Sequence, residues 1–292
     1  MEGRGIILTG QDFVCYDLRE RVRSHSLDVL FPGWQAGEER VVVFSPHDDD
    51  GVLGAGYAIL AALADGAEVS VAIFCDGWGG YSAPEEAATI VERRREETVA
   101  AYGDLGIPKE QIVRFDYPDL SLWPWLGWHL PGGSVGTNAR VLPRMRELRP
   151  TRLLVPNGYR EHVDHEATYR VGVCDGPQVG GAILADYGRA ECIRSYLQYS
   201  VSSDFSPEDA LVAGSSAGIR ANRAIVARAE VEDRIMQALE RFESQRKVIA
   251  RIMEARRRNR VREGRAMELY LAFDPRPPLD YAPYHRLIAR ID

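Results

Sequence analysis

The chain has 292 residues, of which 45 per cent are hydrophobic, and its 36 basic and 43 acidic residues give a net charge of −7. That length and composition suit one large α/β domain with a sizeable buried core. The acidic balance argues against nucleic acid and anionic membrane as partners. We therefore expect a small-molecule partner, and the sequence leaves a homo-oligomer open.

Neither the cysteines nor the apolar segments indicate an exported or membrane-inserted protein. The four cysteines lack CxxC spacing, so we expect reduced, mostly buried thiols and neither a redox pair nor a zinc ribbon. The apolar patch at residues 6–8 lacks the form of a secretory signal. The longest apolar stretch, residues 52–64, is too short to cross a bilayer as a helix. A cytoplasmic protein is therefore expected.

Strands and helices alternate through the first half of the chain. Continuous apolar runs predict buried strands, and segments with helical spacing predict the helices between them. The pattern predicts strands at 41–44, 69–75, 112–115 and 152–155, and helices at 54–64, 87–105 and 140–148. The expected fold is α/β, with a Rossmann-like, mostly parallel sheet flanked by helices.

The remaining segments are predicted from composition and spacing. Residues 116–136 combine three tryptophans with prolines and glycines, which predicts a loop that builds the rim of a pocket. A late strand is predicted at 193–201, and a helix over 222–252, where proline is absent. Residues 1–39 are predicted to be an N-terminal extension packed on the outside of the sheet, and residues 40–292 the main domain.

Two short motifs of histidine and aspartate follow predicted strands. His47-Asp48-Asp49-Asp50 comes after the first strand, and His162-Val163-Asp164-His165 follows the strand at 152–155. Ligands bind at the carboxyl ends of strands in open α/β sheets, and adjacent strands would bring the two motifs together. Three neighbouring carboxylates need a counter-charge, which a divalent metal supplies. The sequence therefore predicts a metal site, with zinc as the expected metal and another divalent metal left open.

Chemistry suggests roles for three residues of the first motif. His47 and Asp50 with His165 form a set of two imidazoles and a carboxylate, which is typical of catalytic zinc with one open position for water. Asp49 would then lie beside the metal without binding it. A general base that takes a proton from activated water needs that position.

The second motif supplies two further candidates. His162 is placed to be a protonated donor to an oxyanion, and Asp164 to hold one imidazole in its orientation. A structural explanation competes, because an HxxH pair alone is weak evidence and the aspartate triplet alone could cap the following helix. Three of the six histidines fall in these two acidic motifs, and that coincidence favours the metal site.

The first motif, Ser45-Pro-His-Asp-Asp-Asp-Gly-Val-Leu-Gly-Ala-Gly56, resembles the SPHPDDEVLGAGG signature of the PIG-L (LmbE-like) zinc-dependent N-acetylglucosaminyl deacetylases. Further matches follow in the family's order. Asp76-Gly77 resembles the family's TDG turn, residues 94–106 its RxxE...A...LG helix, and residues 117–119 its pocket loop. Residues 156–165 resemble its PNG...HPDH motif, and residues 238–245 its AxxxHxSQ helix. The resemblance covers residues 40–270 and marks 40–292 as a deacetylase domain.

The resemblance implies a metal-dependent hydrolase that removes the acetyl group from an N-acetylated amino sugar or its conjugate. It implies the same three metal ligands, Asp49 as general base, and His162 as the charged group that stabilises the tetrahedral intermediate. It adds Arg94 and Asp119 as substrate-binding residues. Alternatively, Arg94 pairs with Glu97 on a solvated helix face.

Several positions depart from the family pattern. Asp48 replaces a proline and Gly51 a glutamate, so a contact around the metal is either missing or supplied by Asp48, and metal affinity is expected to differ. Arg160 and Glu161 stand where relatives often have small residues, which is expected to affect substrate choice. Two other functions stay open: an amidase for another acylated sugar conjugate or secondary metabolite, and a non-catalytic sugar-binding protein on a disabled deacetylase fold.

Two further patterns favour structural explanations. Residues 246–265 hold nine basic and two acidic residues, but apolar residues alternate with them, so an amphipathic helix is expected and no nucleic-acid partner. Tryptophans near strand ends could form platforms for sugar rings, although buried loop aromatics are at least as common; they are Trp78, Trp123, Trp125 and Trp128.

Overall fold

The computed structural model describes residues 7–258, 260–261 and 264–291. The strands of this part of the chain are β1 (Phe13–Asp17), β2 (Val22–Ser24), β3 (Arg40–Ser45), β4 (Glu68–Cys75), β5 (Ile112–Tyr117), β6 (Arg152–Pro156), β7 (Ser195–Tyr199), β8 (Arg223–Ala227) and β9 (Ala266–Phe273). The α-helices are α1 (Asp50–Ala64), α2 (Ile90–Leu105), α3 (Thr137–Leu148), α4 (Val163–Cys174), α5 (Pro207–Val212), α6 (Ala229–Glu240), α7 (Arg246–Arg258) and α8 (Ala282–Ile288). The strands form one sheet in the order β2-β1-β8-β9-β7-β6-β3-β4-β5.

One half of the sheet is parallel, and its central strand β3 is buried on both faces. β3 pairs in parallel with β4 and β6, and the parallel ladder continues to β5 and β7. Val41 and Val43 of β3 pack into a core with α1 and α6, whereas Val42 and Phe44 pack into a core with α3 and α4. Because successive residues of a strand face opposite sides, helices cover both faces of this strand. The predicted α/β fold with a Rossmann-like sheet is confirmed.

The other half of the sheet is antiparallel. β9 pairs with β7 and β8, β8 pairs with β1, and β1 pairs with β2, all antiparallel. The helix predicted over 222–252 is therefore wrong in part, since Arg223–Ala227 is a strand and a short 3-10 turn at Glu243–Gln245 separates α6 from α7. Ile225 and Ala227 are buried, so pairing with β1 and β9 overrides the helical spacing.

The N-terminal segment also enters the sheet. Residues 1–6 of the predicted extension lie outside the described residues. The rest contributes β1 and β2, which extend the sheet at its edge, so packing on the outside of the sheet is not what the structure shows. Leu27, Leu30 and Phe31 of this segment are buried in the core beside α1.

Helix α1 packs unusually close to the sheet and begins earlier than predicted. A Cβ atom at Gly54 would lie 2.4 Å from the ring of Tyr199 in β7, so only glycine permits this approach. The helix starts at Asp50, not at residue 54. Asp50 therefore lies in the first helical turn, at the carboxyl end of the parallel strands.

The remaining sequence expectations concern membrane segments, cysteines and the basic segment. None of the described helices is both long and apolar enough to span a bilayer. The cysteines are all free, with Cys15 and Cys75 buried but Cys174 and Cys192 exposed, so the expectation of buried thiols holds for two of them. Of residues 246–265, positions 259, 262 and 263 lie outside the described part, and residues 246–258 form the predicted amphipathic helix.

Candidate metal centre and active site

The two histidine-aspartate motifs meet at the carboxyl ends of β3 and β6. His47 follows β3, Asp50 opens α1, and His165 lies in the first turn of α4. Asp50 Oδ2 lies 3.0 Å from His47 Nδ1 and 3.2 Å from His165 Nε2. The ligand atoms of the three side chains all lie within 4.8 Å of one another. Stretches more than a hundred residues apart thus converge on one small volume.

Carboxylates hold the other nitrogen of each imidazole. His47 Nε2 lies 3.1 Å from Asp119 Oδ1 and 3.3 Å from Asp164 Oδ2. His165 Nδ1 lies 2.6 Å from Glu161 Oε2. Metal-ligating histidines almost always have such a partner, which fixes the ring and its tautomer. Two oriented imidazoles and one carboxylate therefore fit a divalent cation of the zinc type.

The charges in this cluster favour a cation. Burial lowers the pKa of His47, but its hydrogen bonds to Asp119, Asp164 and Asp50 outweigh burial and raise that pKa well above 6.5. Burial likewise lowers the pKa of His165, but Asp50 and Glu161 raise it to about 9. The acid excess thus draws positive charge to the imidazoles, which is the charge that a bound divalent cation would supply.

Asp49 lies next to the ligand set but outside it. It precedes α1 at the capping position, yet its side chain makes no capping hydrogen bond, so helix capping does not explain the aspartate triplet. Its Oδ1 accepts a hydrogen bond from Arg94 Nη2 at 3.3 Å. Burial raises the pKa of Asp49, and the Arg94 charge opposes that shift. A carboxylate with a raised pKa is a stronger base than an exposed one.

Arg94 is buried in the site and does not lie on a solvated helix face. Its Nε donates to Asp48 Oδ2 at 2.9 Å. A Cβ atom at Gly80 would lie 2.4 Å from Arg94 Nη1, so the glycine leaves room for the guanidinium. The alternative pairing of Arg94 with Glu97 is wrong, because Glu97 accepts hydrogen bonds from Arg93 and from the backbone and hydroxyl of Ser244.

The two departures from the family signature are both accommodated. Asp48 is fully buried and, besides Arg94, accepts hydrogen bonds from Thr98 Oγ1 and Arg114. It therefore orients Arg94 and does not contact the ligand set directly. A Cβ atom at Gly51 would lie 2.5 Å from the Tyr102 hydroxyl, so the family's glutamate would not fit here without rearrangement.

The loop after β5 is fastened to the second motif. Asp164 accepts hydrogen bonds from the backbone of Leu120 at 2.7 Å and of Leu122 at 2.9 Å. Asp119 accepts one from Gly79 N at 2.9 Å and lies in the cavity. Leu120 has φ +61°, a strained left-handed conformation for leucine, and such strain is concentrated at functional sites. The structure thus places Asp164 beside His47, where the sequence analysis expected it to orient an imidazole.

His162 differs from the expected charged donor. Its Nδ1 accepts a hydrogen bond from the backbone N–H of Asp164 at 3.2 Å. Burial and the neighbouring His47 charge lower its pKa. A neutral ring whose Nδ1 accepts carries its proton on Nε2, so His162 remains a donor without being charged.

Glu161 is the functional residue that sequence reasoning missed. Its position in the sequence predicts an effect on substrate choice, but its side chain is 1% exposed and one oxygen contacts His165. The other oxygen accepts the backbone N–H groups of Val201, Ser202 and Ser203 at 3.0 to 3.1 Å. Glu161 lies outside α4, which begins at Val163, so no helical spacing in the sequence linked it to His165.

A cavity of about 260 Å³ opens beside the ligand set. Its lining includes Asp49, Arg94, Asp119 and His162 on the polar side and Val248 and Ile252 of α7 on the apolar side. Of residues 116–136, which were predicted to build the rim, Asp119 and Leu120 line the cavity. None of the four tryptophans considered as sugar platforms is part of its described lining, and Trp125 packs near Tyr117 and Trp128 near Tyr187.

Comparisons with known proteins show which family and which fold the chain resembles. Residues 42–174 match the PIG-L family, described as GlcNAc-PI de-N-acetylase, which confirms the resemblance inferred from the motifs. The chain is therefore similar to this family over residues 42–174. A search of curated proteins gave no significant match.

Solved structures share the fold at low sequence identity. N,N′-diacetylchitobiose deacetylase from Pyrococcus horikoshii is 15% identical, with TM-score 0.59 over 80% of this chain and 84% of that one. The zinc-inhibited form of teicoplanin deacetylase Orf2 is 20% identical, with TM-score 0.52 over 80% and 99%. The 4-carboxy-2-hydroxymuconate hydratase GalB from Pseudomonas putida is 17% identical, with TM-score 0.58 over 84% and 100%. The fold therefore accommodates more than one reaction.

Proposed function

We propose that the protein is a zinc-dependent hydrolase that removes the acetyl group from an N-acetylated amino sugar or its conjugate. The observation that carries this proposal is the ligand set of His47, Asp50 and His165. A carboxylate contacts the second nitrogen of each imidazole, and Asp49 lies beside the set without belonging to it. The similarity of residues 42–174 to the PIG-L family and the deacetylases with the same fold support it.

The proposed mechanism uses direct attack of water on the amide carbonyl. When bound at His47, Asp50 and His165, a divalent cation would supply Lewis-acid polarisation and make water more acidic. Asp49 takes the proton as the water oxygen bonds to the carbonyl carbon. The same proton then passes from Asp49 to the nitrogen as the carbon–nitrogen bond breaks, which releases an amine and acetic acid, and the acid loses its remaining proton to solvent as acetate.

Neighbouring side chains position the reacting groups. Arg94 keeps Asp49 in place through the contact at 3.3 Å, and Asp48 in turn holds Arg94. His162 donates its Nε2 proton to the developing oxyanion. Arg94 and Asp119, which both line the cavity, are proposed to bind sugar hydroxyls. The hydrogen bonds of Arg94 to Asp48 and Asp49 hold these three groups in place before substrate binds, which favours catalysis.

The two alternative functions differ in support. An amidase for another acylated sugar conjugate would use the same groups, so a substrate panel must separate it from the deacetylase. The non-catalytic alternative was motivated by Asp48 and Gly51, and both positions are accommodated without disturbing the ligand set. A hydratase with the same fold is a reason to include hydration of a double bond as a control reaction.

The test is release of acetate from a panel of N-acetylglucosamine conjugates by protein stripped of metal and then given up to one equivalent of zinc. Zinc is limited to one equivalent because a related deacetylase has a zinc-inhibited form. We expect turnover to require the added metal. The proposal fails if no conjugate is deacetylated with zinc, cobalt or manganese, and hydration of 4-carboxy-2-hydroxymuconate would indicate the other chemistry.

A further inference from the structure

A second group of metal-ligating side chains lies on the side of the His47 ring that faces away from Asp50. This rear cluster consists of His47, Cys75, Asp119 and Asp164, each of which places one ligand atom within 4.8 Å of those of the others. Nε2 is the His47 nitrogen on this side, whereas Nδ1 lies 3.0 Å from Asp50 Oδ2 in the first ligand set. The two sets of ligands therefore share His47 and no other residue.

The distances in the rear cluster suit tetrahedral coordination. Bonds of about 2.0 to 2.3 Å from a zinc-type cation to nitrogen, oxygen and sulfur put neighbouring ligand atoms roughly 3.3 to 3.8 Å apart. His47 Nε2 lies 3.1 Å from Asp119 Oδ1 and 3.3 Å from Asp164 Oδ2. Small movements of these side chains are therefore enough to enclose a cation.

One carboxylate oxygen of the rear cluster is poorly satisfied. Asp119 is only 7% exposed, and its other oxygen accepts a hydrogen bond from Gly79 N. Apart from the ion pair with His47, Asp119 Oδ1 has no hydrogen-bond partner in the described part of the chain. A buried carboxylate oxygen without hydrogen bonds costs free energy. A cation between His47 and Asp119 would remove that cost.

Cys75 gives the rear cluster a sulfur atom where the family motif has none. The family's TDG turn has threonine at this position, whereas this chain reads Cys75-Asp76-Gly77. Cys75 is the last residue of β4 and is fully buried. Burial raises the pKa of its thiol, and the Asp164 and Asp119 charges raise it further against the opposing His47 charge. The thiol is therefore neutral until a cation displaces its proton.

Sulfur makes the rear cluster a softer set of ligands than the first one. Thiolate favours thiophilic cations, whereas two imidazoles with a carboxylate suit zinc. Zinc at the first ligand set also requires no ionisation of a buried thiol. A cation can reach the rear cluster from the catalytic cavity, because His47 and Asp119 line that cavity.

We propose that the rear cluster is a second cation site, which takes a thiophilic divalent cation for which cadmium is the probe. The cation replaces the Nε2 proton of His47 and the thiol proton of Cys75, and both protons pass to solvent. A neutral imidazole has one nitrogen free to bind a cation, so His47 serves one site at a time. A cation in the rear cluster therefore removes His47 from the first ligand set.

The ultraviolet charge-transfer band of a cadmium–thiolate bond reports this site without turnover. The starting protein is the metal-free full chain with both exposed thiols replaced, Cys174→Ser/Cys192→Ser. One equivalent of cadmium should produce the band in this background, and Cys75→Ala should abolish it. Cys15→Ala is the matched control at a buried thiol of β1 and should keep the band. No band in the background, or the same band in Cys75→Ala, overturns the proposal.

A second variant guards against a folding defect in Cys75→Ala. Cys75→Thr restores the residue of the family motif and has no thiol to bind cadmium. Its circular dichroism spectrum should match that of the background, and cadmium should produce no charge-transfer band. A band of the same intensity in Cys75→Thr would contradict the assignment of the sulfur ligand to Cys75.

Competition with zinc separates the rear cluster from the first ligand set. Asp50 belongs to the first set alone, so Asp50→Asn in the same background should keep the cadmium band. Zinc at about ten times its dissociation constant should lower the apparent cadmium affinity by about tenfold in the background, because the sites share His47. The same zinc concentration should leave cadmium affinity unchanged in Asp50→Asn. Equal zinc effects in both proteins, or no band in Asp50→Asn, would overturn the proposal, whether or not the protein deacetylates any substrate.

Discussion

Two buried clusters of charged residues lie at opposite ends of the same parallel strands, and their charge balance differs. At the amino ends, Glu39 precedes β3 and is 1% exposed. Its carboxylate accepts hydrogen bonds from Arg152 at 2.9 and 3.1 Å, from Arg194 at 2.7 Å and from the Thr151 hydroxyl. Here one acid meets two guanidinium groups.

At the carboxyl ends the acids outnumber the permanent cations. Arg94 and Arg114 are the guanidinium groups that contact the cluster. The acids are Asp48, Asp49, Asp50, Asp119, Asp164 and Glu161. A satisfied cluster stabilises the fold, whereas an acid excess around two imidazoles is suited to a bound cation. The comparison predicts that substitutions at the amino ends should lower the free energy of unfolding. Substitutions at the carboxyl ends should lower metal affinity and catalytic rate.

The largest expected effect is on catalysis, from Asp49→Asn. The variant keeps the shape of the side chain but removes its ability to accept a proton. We expect the turnover number to fall by about 10²- to 10⁴-fold while metal content stays at the wild-type level. Acetate release and metal analysis on the same sample check both parts, and full turnover with metal bound would eliminate Asp49 as the base.

Glu39→Gln tests the other end of the strands. Burial raises the pKa of Glu39, but hydrogen bonds from Arg152 and Thr151 outweigh burial and lower the pKa to about 2 from an ordinary value of 4.5. Since the folded pKa is depressed, the stabilisation is complete above pH 4.5 and is lost as the pH falls from 4.5 towards 2. The substitution should cost about 3 kcal/mol near neutral pH.

Urea unfolding at several pH values measures this effect. The difference in unfolding free energy between wild type and Glu39→Gln should shrink as the pH is lowered through the same window. Metal affinity near neutral pH should be unchanged, because the cluster lies at the far end of β3. A difference that stays constant with pH would show that the ionised carboxylate is not what stabilises this end.

Glu161→Gln should have a smaller effect, and the property that it should change is metal affinity. The amide still fills the space, but it holds His165 less strongly than the carboxylate at 2.6 Å does. We expect metal affinity to fall by roughly 10- to 100-fold, as for other partners of metal-ligating histidines. Competition with a chelator of known affinity measures it, and Glu166→Gln on the exposed side of α4 is the control. Equal affinities in both variants would assign Glu161 a structural role only.

The sequence predicted the parallel half of the fold better than the antiparallel half. The apolar runs of β3, β4 and β6 are continuous because both faces are buried, so they can be recognised without knowledge of their partners. β8 was mistaken for helix, and β1, β2 and β9 were not predicted. Their identity depends on pairing between segments far apart in the chain, which local spacing does not encode.

In the candidate site, too, the sequence predicts the local motifs but not the contacts with distant segments. The motifs contain His47, Asp50 and His165, so their meeting follows from strand order and could be anticipated. The contacts of Glu161 and Asp48 could not, because each depends on partners from other elements, such as the backbone after β7 or Arg114 of β5. The burial of Arg94 likewise depends on the glycines that approach it in the fold.

The central claim is that His47, Asp50 and His165 bind one metal ion. Its most direct test is a calorimetric titration of zinc into metal-free protein, with the wild type and Asp50→Asn measured in parallel. Asp50 contacts both histidines, at 3.0 and 3.2 Å, and Glu39→Gln serves as the control at the opposite end of the strands. The account predicts one tight site per chain in the wild type and the control, and loss of that site in Asp50→Asn. Absence of a tight site in the wild type, or the same site in Asp50→Asn, would contradict it.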